Sequence, residues 1–277
     1  MNRSQLGAAL RALRDTSGKE AKAVARSAVM SPSKLSKIET GKLAPNADDV
    51  HRILTAIGVS EKVAAEYMAV ARAVATEATA WRLVQRAGLD KAQARLRELE
   101  ARTQKLRVFQ PSLIPGLLQT HQYARAVLSR HKDLSDETVR RTVSARLERQ
   151  EALYDPSRSF GFVITEKVLT WEIVPPLVLA GQIDQLVSMA RLPNVEIRVV
   201  PQAGPKHDIP NHPFVVHDHT AARVETTHAE IVVTDPRDVT LYVEKYDGFA
   251  QHSVSGDELT PFLVGIRNQL LRQQETG

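Results

Sequence analysis

The 277-residue chain has no cysteine at all, which excludes disulfide staples and every thiolate metal site and suits a reducing compartment. It also lacks long apolar runs. No stretch reaches the eighteen or so apolar residues that a membrane-spanning helix needs, and the start, MNRSQLGAALRALRDTSG, lacks the apolar centre of a secretory signal. A cytoplasmic protein without a membrane partner is therefore expected. Local signatures of catalysis are missing too: there is no GxGxxG, no Walker phosphate loop, no GxSxG and no HExxH. The expectation is a non-enzyme that needs no cofactor.

The hydrophobic content of 43% over this length is enough for two packed cores. Charge is unevenly spread between them. Residues 1–60 carry ten Lys and Arg against five acids, leaving 27 of each sign in the remaining 217 residues. The whole excess of +5 thus sits in the first segment. A small basic unit joined to a neutral one is the electrostatic footprint of a nucleic-acid reader with a separate effector part.

Leu6, Leu10 and Leu13 recur at helical spacing and Gly18 stops the run, which predicts a first helix over about 4–16. The stretch KEAKAVARSA predicts a second, ending at Val29 and Met30. A third begins at SPSKLSKIE. Ser31 is a good N-cap, because its hydroxyl can accept from an unpaired amide of the first turn, and Pro32 suits the first helical position, where no amide hydrogen is needed. Gly41 can supply a left-handed C-terminal cap. At 100° per residue Leu35 and Ile38 share one side, while Ser33, Ser36, Lys37 and Thr40 face away. A short helix with an apolar back and a polar, cationic front has the dimensions to enter a major groove.

The run AVARSAVMSPSKLSKIETGKLAPNADDVHRILTAIGV resembles the helix-turn-helix of the phage-repressor-like, or XRE, class, including its Ser-x-x-x-Leu-Ser-x-Ile-Glu-x-Gly recognition-helix signature. The resemblance implies binding to double-stranded DNA, with base contacts from Pro32, Ser33 and Lys37 and phosphate contacts from Lys22, Arg26, Lys34 and Lys42. It also implies an ion pair between Arg14 and Glu39. The turn position often held by glycine is Val29 here, so a backbone outside the left-handed region is expected there.

Further along, residues 61–86 read as helix, with Val63, Tyr67, Val70 and Val74 at recurring spacing, and Gly88 gives a break. Residues 89–107 read as a charged helix carrying Leu89, Leu96, Leu99 and Leu106. Pro111 and Pro115 then interrupt the chain. The expected organisation is a helix-turn-helix domain over 1–75, a helical connector over 76–108 and an effector or dimerisation domain over 109–277. The β-branched runs FGFVIT, VEIRVV, PFVVH and ARVETTHAEIVV, with helices between several of them, predict an α/β or α+β fold behind the all-α N-terminal domain.

The sequences FQPSLIPGLLQTHQYARAVL and SARLERQEALYD resemble the effector region behind XRE-type domains in actinobacterial regulators of the WhiJ type. That resemblance implies transcriptional control, an antitoxin-like arrangement and a small partner protein encoded nearby. The IVPPL segment after Trp171 departs from it. A homodimer on a palindromic operator fits the XRE class.

Two competing chemistries need weighing. Five of the nine histidines fall between His207 and His228, and His217 and His219 would share one strand face, so His207, His212, His217 and His219 are weak candidates for a metal site. No recognised ligand spacing accompanies them, and no metal is expected. Glu166, after FVIT, reads either as an acid at a strand end in a pocket or as a partnered structural carboxylate, the latter preferred. A metal-dependent enzyme and an antitoxin-like interaction module with secondary DNA binding remain the alternatives.

Overall fold

The computed structural model describes residues 3–43, 45–74, 76–80, 88–131, 134–205, 208–226 and 229–276. The chain divides into two units, one of Met1–Ala78 with Ile231–Val239 and one of Thr79–Glu230 with Thr240–Gly277.

The first unit is built on five helices: α1 (Arg3–Thr16), α2 (Ala21–Ser27), α3 (Pro32–Glu39), α4 (Ala47–Ile57) and α5 (Glu61–Val74). Each contributes its periodic apolar positions to one core, in which Leu6, Leu10, Val24, Leu35, Ile38, Val50, Ile53 and Leu54 are all buried. The ends are fixed locally. Asn46 caps α4 by accepting from the Asp49 amide at 2.7 Å, and Gly58, at φ +85°, stops it in the left-handed region. The helix expected over 61–86 ends instead at Val74, and Thr76–Ala80 is a strand, β1, hydrogen-bonded to the strand Ala229–Val233. A neighbouring strand that satisfies the backbone outweighs the modest helix preference of this short segment. Residues 81–86 of that expected helix lie outside the described residues.

Among the described residues the helices of the second unit are α6 (Leu89–Ala101), α7 (His121–Leu128), α8 (Asp136–Arg149), α9 (Lys167–Thr170), α10 (Pro176–Met189), α11 (Pro236–Gln251), whose first residues up to Val239 belong to the first unit, and α12 (Leu259–Thr276). They accompany strands β2 (Lys105–Gln110), β3 (Ser159–Thr165), β4 (Val195–Val200), β5 (Phe214–His217) and β6 (Ala221–Glu225), which lie in the order β6-β5-β2-β3-β4. β2, β3 and β4 are parallel, with Val108 beside Phe162 and Phe162 beside Ile197. β5 runs antiparallel to both β2 and β6. Between β6 and the next strand, β7 (Ala229–Val233), the Thr226 amide donates to the Ala229 carbonyl at 2.9 Å. The sheet is thus mixed, and the unit is α+β.

Alternation along the parallel strands explains its two faces. Leu106, Val108, Phe160, Phe162, Ile164, Ile197 and Val199 join a core with Ile183 and Leu186 of α10 and Leu263 and Ile266 of α12. On the opposite face Phe109 stacks on Phe249 of α11, with ring centroids 4.2 Å apart. The Pro175–Pro176 pair in IVPPL starts α10, with Pro176 in its first turn.

The expected connector over 76–108, and the boundary at 109, are corrected by this architecture. α6 ends at Ala101, not near 107, and its Glu100 pairs with Arg149 of α8; β2 lies inside the sheet between β3 and β5. The Pro111 interruption marks the end of a central strand, not the start of a domain. Lys105 and Arg107 disguised that strand, yet Arg107 is buried, its Nη1 donating to the Asp218 carbonyl at 3.0 Å.

Candidate nucleic-acid interface

The third helix is fixed at both ends by the residues the sequence singles out. Ser31 Oγ accepts from the Lys34 amide at 3.1 Å, and Pro32 opens the helix. At the other end Gly41 takes φ +69°, its amide donating to the Ile38 carbonyl at 2.9 Å. Leu35 and Ile38 are fully buried against the core, whereas Pro32, Ser33, Ser36, Lys37 and Thr40 are exposed. One face of α3 therefore anchors the helix and the other presents hydroxyls and an ammonium.

The turn leading into α3 departs from expectation. Val29 adopts φ +53°, inside the left-handed region. The reason lies in the hydrogen bonds around it: the Met30 amide donates to the Ala25 carbonyl at 3.0 Å and the Val29 amide to the Arg26 carbonyl at 3.1 Å. This paired arrangement ends α2 as a Schellman motif, which demands a left-handed residue at that position whatever its side chain. Valine there is strained, and its side chain stands in solvent.

Glycine at position 7 escaped the sequence reading. A Cβ there would lie 2.2 Å from the Ile38 carbonyl oxygen, so α1 rests directly on the end of α3. An isolated glycine within a strong helical pattern was the available signal, because the helix gains nothing locally from it. Beside this contact Arg14 Nε donates to Glu39 Oε1 at 2.7 Å and Nη2 to Glu39 Oε2 at 3.1 Å, joining α1 to α3. This two-pronged hydrogen bond holds the Arg14 guanidinium above its ordinary pKa.

The cations around α3 fall into two kinds. Lys34 is turned inward, its Nζ 2.6 Å from Oδ1 of the buried Asp49, which Arg52 also approaches at 3.3 Å. The phosphate contact expected of Lys34 would break this tie and leave the buried Asp49 carboxylate to Arg52 alone among the cations. Lys22, Arg26, Lys37 and Lys42 are exposed, and no ion pair engages them among the described residues.

The described histidines do not form a cluster. β5 ends at His217 and Asp218 turns the chain at φ +53°, so His219 leaves the strand and does not share a face with His217. His217 is buried with Nδ1 3.0 Å from Thr103 Oγ1, and burial, with Arg223 and Arg149 nearby, pushes its pKa down to about 3. His219 is exposed and its Nε2 lies 3.5 Å from Arg107 Nη2; His212 stacks edge-on to Phe214. His207 and His228 lie outside the described residues. Among the described residues no three His, Asp or Glu side chains are grouped to hold a metal. Glu166 Oε2 accepts from the Gln202 amide at 2.5 Å, the role of a partnered structural carboxylate.

No described helix is long and apolar enough to cross a membrane. Comparison with curated proteins gives no match. Among solved structures the chain is similar to the archaeal chromatin protein TrmBL2, whose structure is described as showing a novel mode of DNA binding, at 12% identity and a TM-score of 0.34. That match covers 65% of this chain and 54% of the other, so this chain spans about half of its length. It is also similar to a phospholipase D family member, Nuc from Salmonella typhimurium, at 8% identity and a TM-score of 0.37, covering 65% and 98% of the two chains. Scores this low carry no argument about fold or role. Family models are more specific. The model described as a helix-turn-helix domain matches residues 5–67, spanning α1 to α4 and the start of α5 with the turn and capped α3 described above. The model described as a domain of unknown function, DUF5753, matches residues 93–263, from within α6 through the mixed sheet into α12. With that match covering more than half of its length behind an N-terminal helix-turn-helix domain, the chain belongs to the DUF5753 family.

Proposed function

We infer that this protein is a sequence-specific DNA-binding transcriptional regulator, cytoplasmic and dimeric on a palindromic operator, acting by binding and not by catalysis. The observation that carries the reading is α3 itself: a short helix clamped by a Ser-Pro start and a glycine stop, with Leu35 and Ile38 buried and Ser33, Ser36 and Lys37 outward. In the XRE-like arrangement α3 enters the major groove, where Pro32, Ser33 and Lys37 meet base edges. Lys22, Arg26 and Lys42 meet phosphates, and Lys34 serves as a tie to Asp49. The second unit, which the sequence likens to WhiJ-type effector regions, supplies the input, from a small ligand or a partner protein.

Selection of bound sequences from random duplex DNA with the purified full chain tests this reading. An enriched palindrome with half-sites one or more helical turns apart is expected, since two-fold protein symmetry imposes that spacing. Absence of enrichment at every salt concentration would contradict it.

A further inference from the structure

The second unit contains a cavity of about 240 Å³ between α6, β2, the loop around Gly116, α8 and β6. Leu106, Val108, Leu113, Leu117 and Phe162 give it an apolar lining, and three arginines, Arg146, Arg149 and Arg223, line it too. Two of these are answered by carboxylates. Arg149 pairs with Glu100, and Arg223 pairs with Glu225 and Glu230. Arg146 is different: its Nη1 donates to Gln119 Oε1 at 2.6 Å, its Nε is buried without a partner, and no ion pair engages it among the described residues.

Gln119 is not free to serve any other group. Its Nε2 donates to the Ile114 carbonyl at 2.7 Å, which fixes Oε1 toward Arg146 and holds the guanidinium in place. The backbone is also close, since a Cβ on Gly116 would stand 3.8 Å from Arg146 Cδ and Nε. Burial and the like charge of Arg149 push the Arg146 pKa down to about 10, only partly offset by Glu225. A positioned, partly buried guanidinium with no carboxylate in direct contact favours an anion beside it, although Glu100 and Glu225 also line the cavity.

We propose that this cavity binds a small organic anion, with the carboxylate or phosphate group on Arg146 and the apolar body against Leu106, Val108, Leu113, Leu117 and Phe162. The volume lies just below the roughly 300–1,000 Å³ of sites for drug-sized ligands, which limits the occupant to a compact molecule. The proposal deepens the ligand-input reading of the second unit, but the cavity's binding chemistry stands on its own geometry.

The test uses the full chain, with octanoate and benzoate as probes, octanamide and benzamide as neutral counterparts, and inorganic phosphate as the anion without an apolar body, each titrated by calorimetry. Octanoate or benzoate is expected to bind at least about tenfold more tightly than its amide, the difference that one charge-assisted hydrogen bond makes. Arg146→Gln should abolish that preference while Arg146→Lys retains part of it. Leu113→Trp, which adds bulk to the apolar lining and leaves the arginine itself in place, should weaken both acid and amide, and circular dichroism establishes that each variant is folded. Equal binding of acid and amide, an unchanged preference in Arg146→Gln, inorganic phosphate binding as tightly as the organic acids, or no binding by any probe would overturn the proposal. Operator affinity measured with and without a binding probe addresses the input reading separately: an anion that binds the cavity yet leaves operator affinity unchanged contradicts ligand input through this site and leaves the binding proposal standing.

Discussion

The cations around α3 and those around the central sheet of the second unit stand in opposite settings. Around α3 the cations Lys22, Arg26, Lys37 and Lys42 stand in solvent, whereas in the second unit Arg107, Arg149, Arg158 and Arg223 are buried and Arg146 lines a cavity. An outward ammonium costs little to keep and can exchange its counterions for a polyanion. An inward guanidinium is desolvated and persists only with hydrogen bonds or carboxylates around it. Residues of one formal charge thus do different work: the four outward cations around α3 suit a large external partner, whereas Arg14 and Lys34 of the same unit and the buried arginines of the second hold the fold.

The sharpest way to break this comparison is to remove an inward charge. Arg149→Met strands Glu100, whose side chain is 5% exposed, and should cost about 3 to 5 kcal/mol in the unfolding of the second unit, read by urea titration. A cost below about 1 kcal/mol would mean that the buried pair is not under the constraint described.

Over the window between pH 6 and 4 a smaller effect follows from His217, which the fold keeps neutral to about pH 3 through burial and the fields of Arg223 and Arg149. In the unfolded chain this histidine takes up a proton near its ordinary value of about 6.5. Its contribution is therefore fully present above about pH 6.5 and is lost on acidification, by up to about 1.4 kcal/mol per pH unit, until the pH nears 3. Unfolding between pH 6 and 4 should be less pH-dependent in His217→Gln than in the parent. Parallel pH profiles would contradict the assignment.

Smaller again is the strain at Val29. Val29→Gly removes the left-handed penalty at the cost of greater freedom in the unfolded chain, and should stabilise the first unit by about 0.5 to 1 kcal/mol. Thermal melts of the full chain give the sign. Destabilisation would show that the exposed valine makes a compensating contact.

The smallest expected change in stability comes from the outward cations. Lys22→Ala and Lys42→Ala should each alter unfolding by less than about 0.5 kcal/mol. Each should lower the slope of log affinity against log salt by about one per subunit on operator and scrambled DNA alike. A stability loss comparable to that of Arg149→Met would erase the distinction between the units.

How far the sequence reveals each unit depends on how local its signals are. α3 was legible because Ser31, Pro32, Leu35, Ile38 and Gly41 act within ten residues of one another. Val29 was misread because its conformation is set by amide-to-carbonyl bonds spanning Ala25 to Met30, which override the preference of a β-branched side chain. β2 was hidden because Lys105 and Arg107 broke its apolar run, and their places become intelligible only with β3 and β5 on either side. The inward role of Lys34 depends on Asp49 in the next helix. The arginine-lined cavity was illegible altogether, since Arg146 and Arg223 are brought together by the sheet and α8 and no local spacing announces them.

The central claim is that α3 reads base sequence through its outward face, and Lys37 tests it most directly. Affinities of the parent and Lys37→Ala proteins for the selected operator and for a scrambled duplex of equal length, measured by fluorescence anisotropy at one salt concentration, separate base reading from phosphate contact. The account predicts that Lys37→Ala weakens operator binding by about 1 to 3 kcal/mol per half-site, relaxes preference at one or two base pairs, and changes scrambled-duplex binding much less. An equal loss of affinity for both duplexes would contradict it, because Lys37 would then be meeting only the backbone.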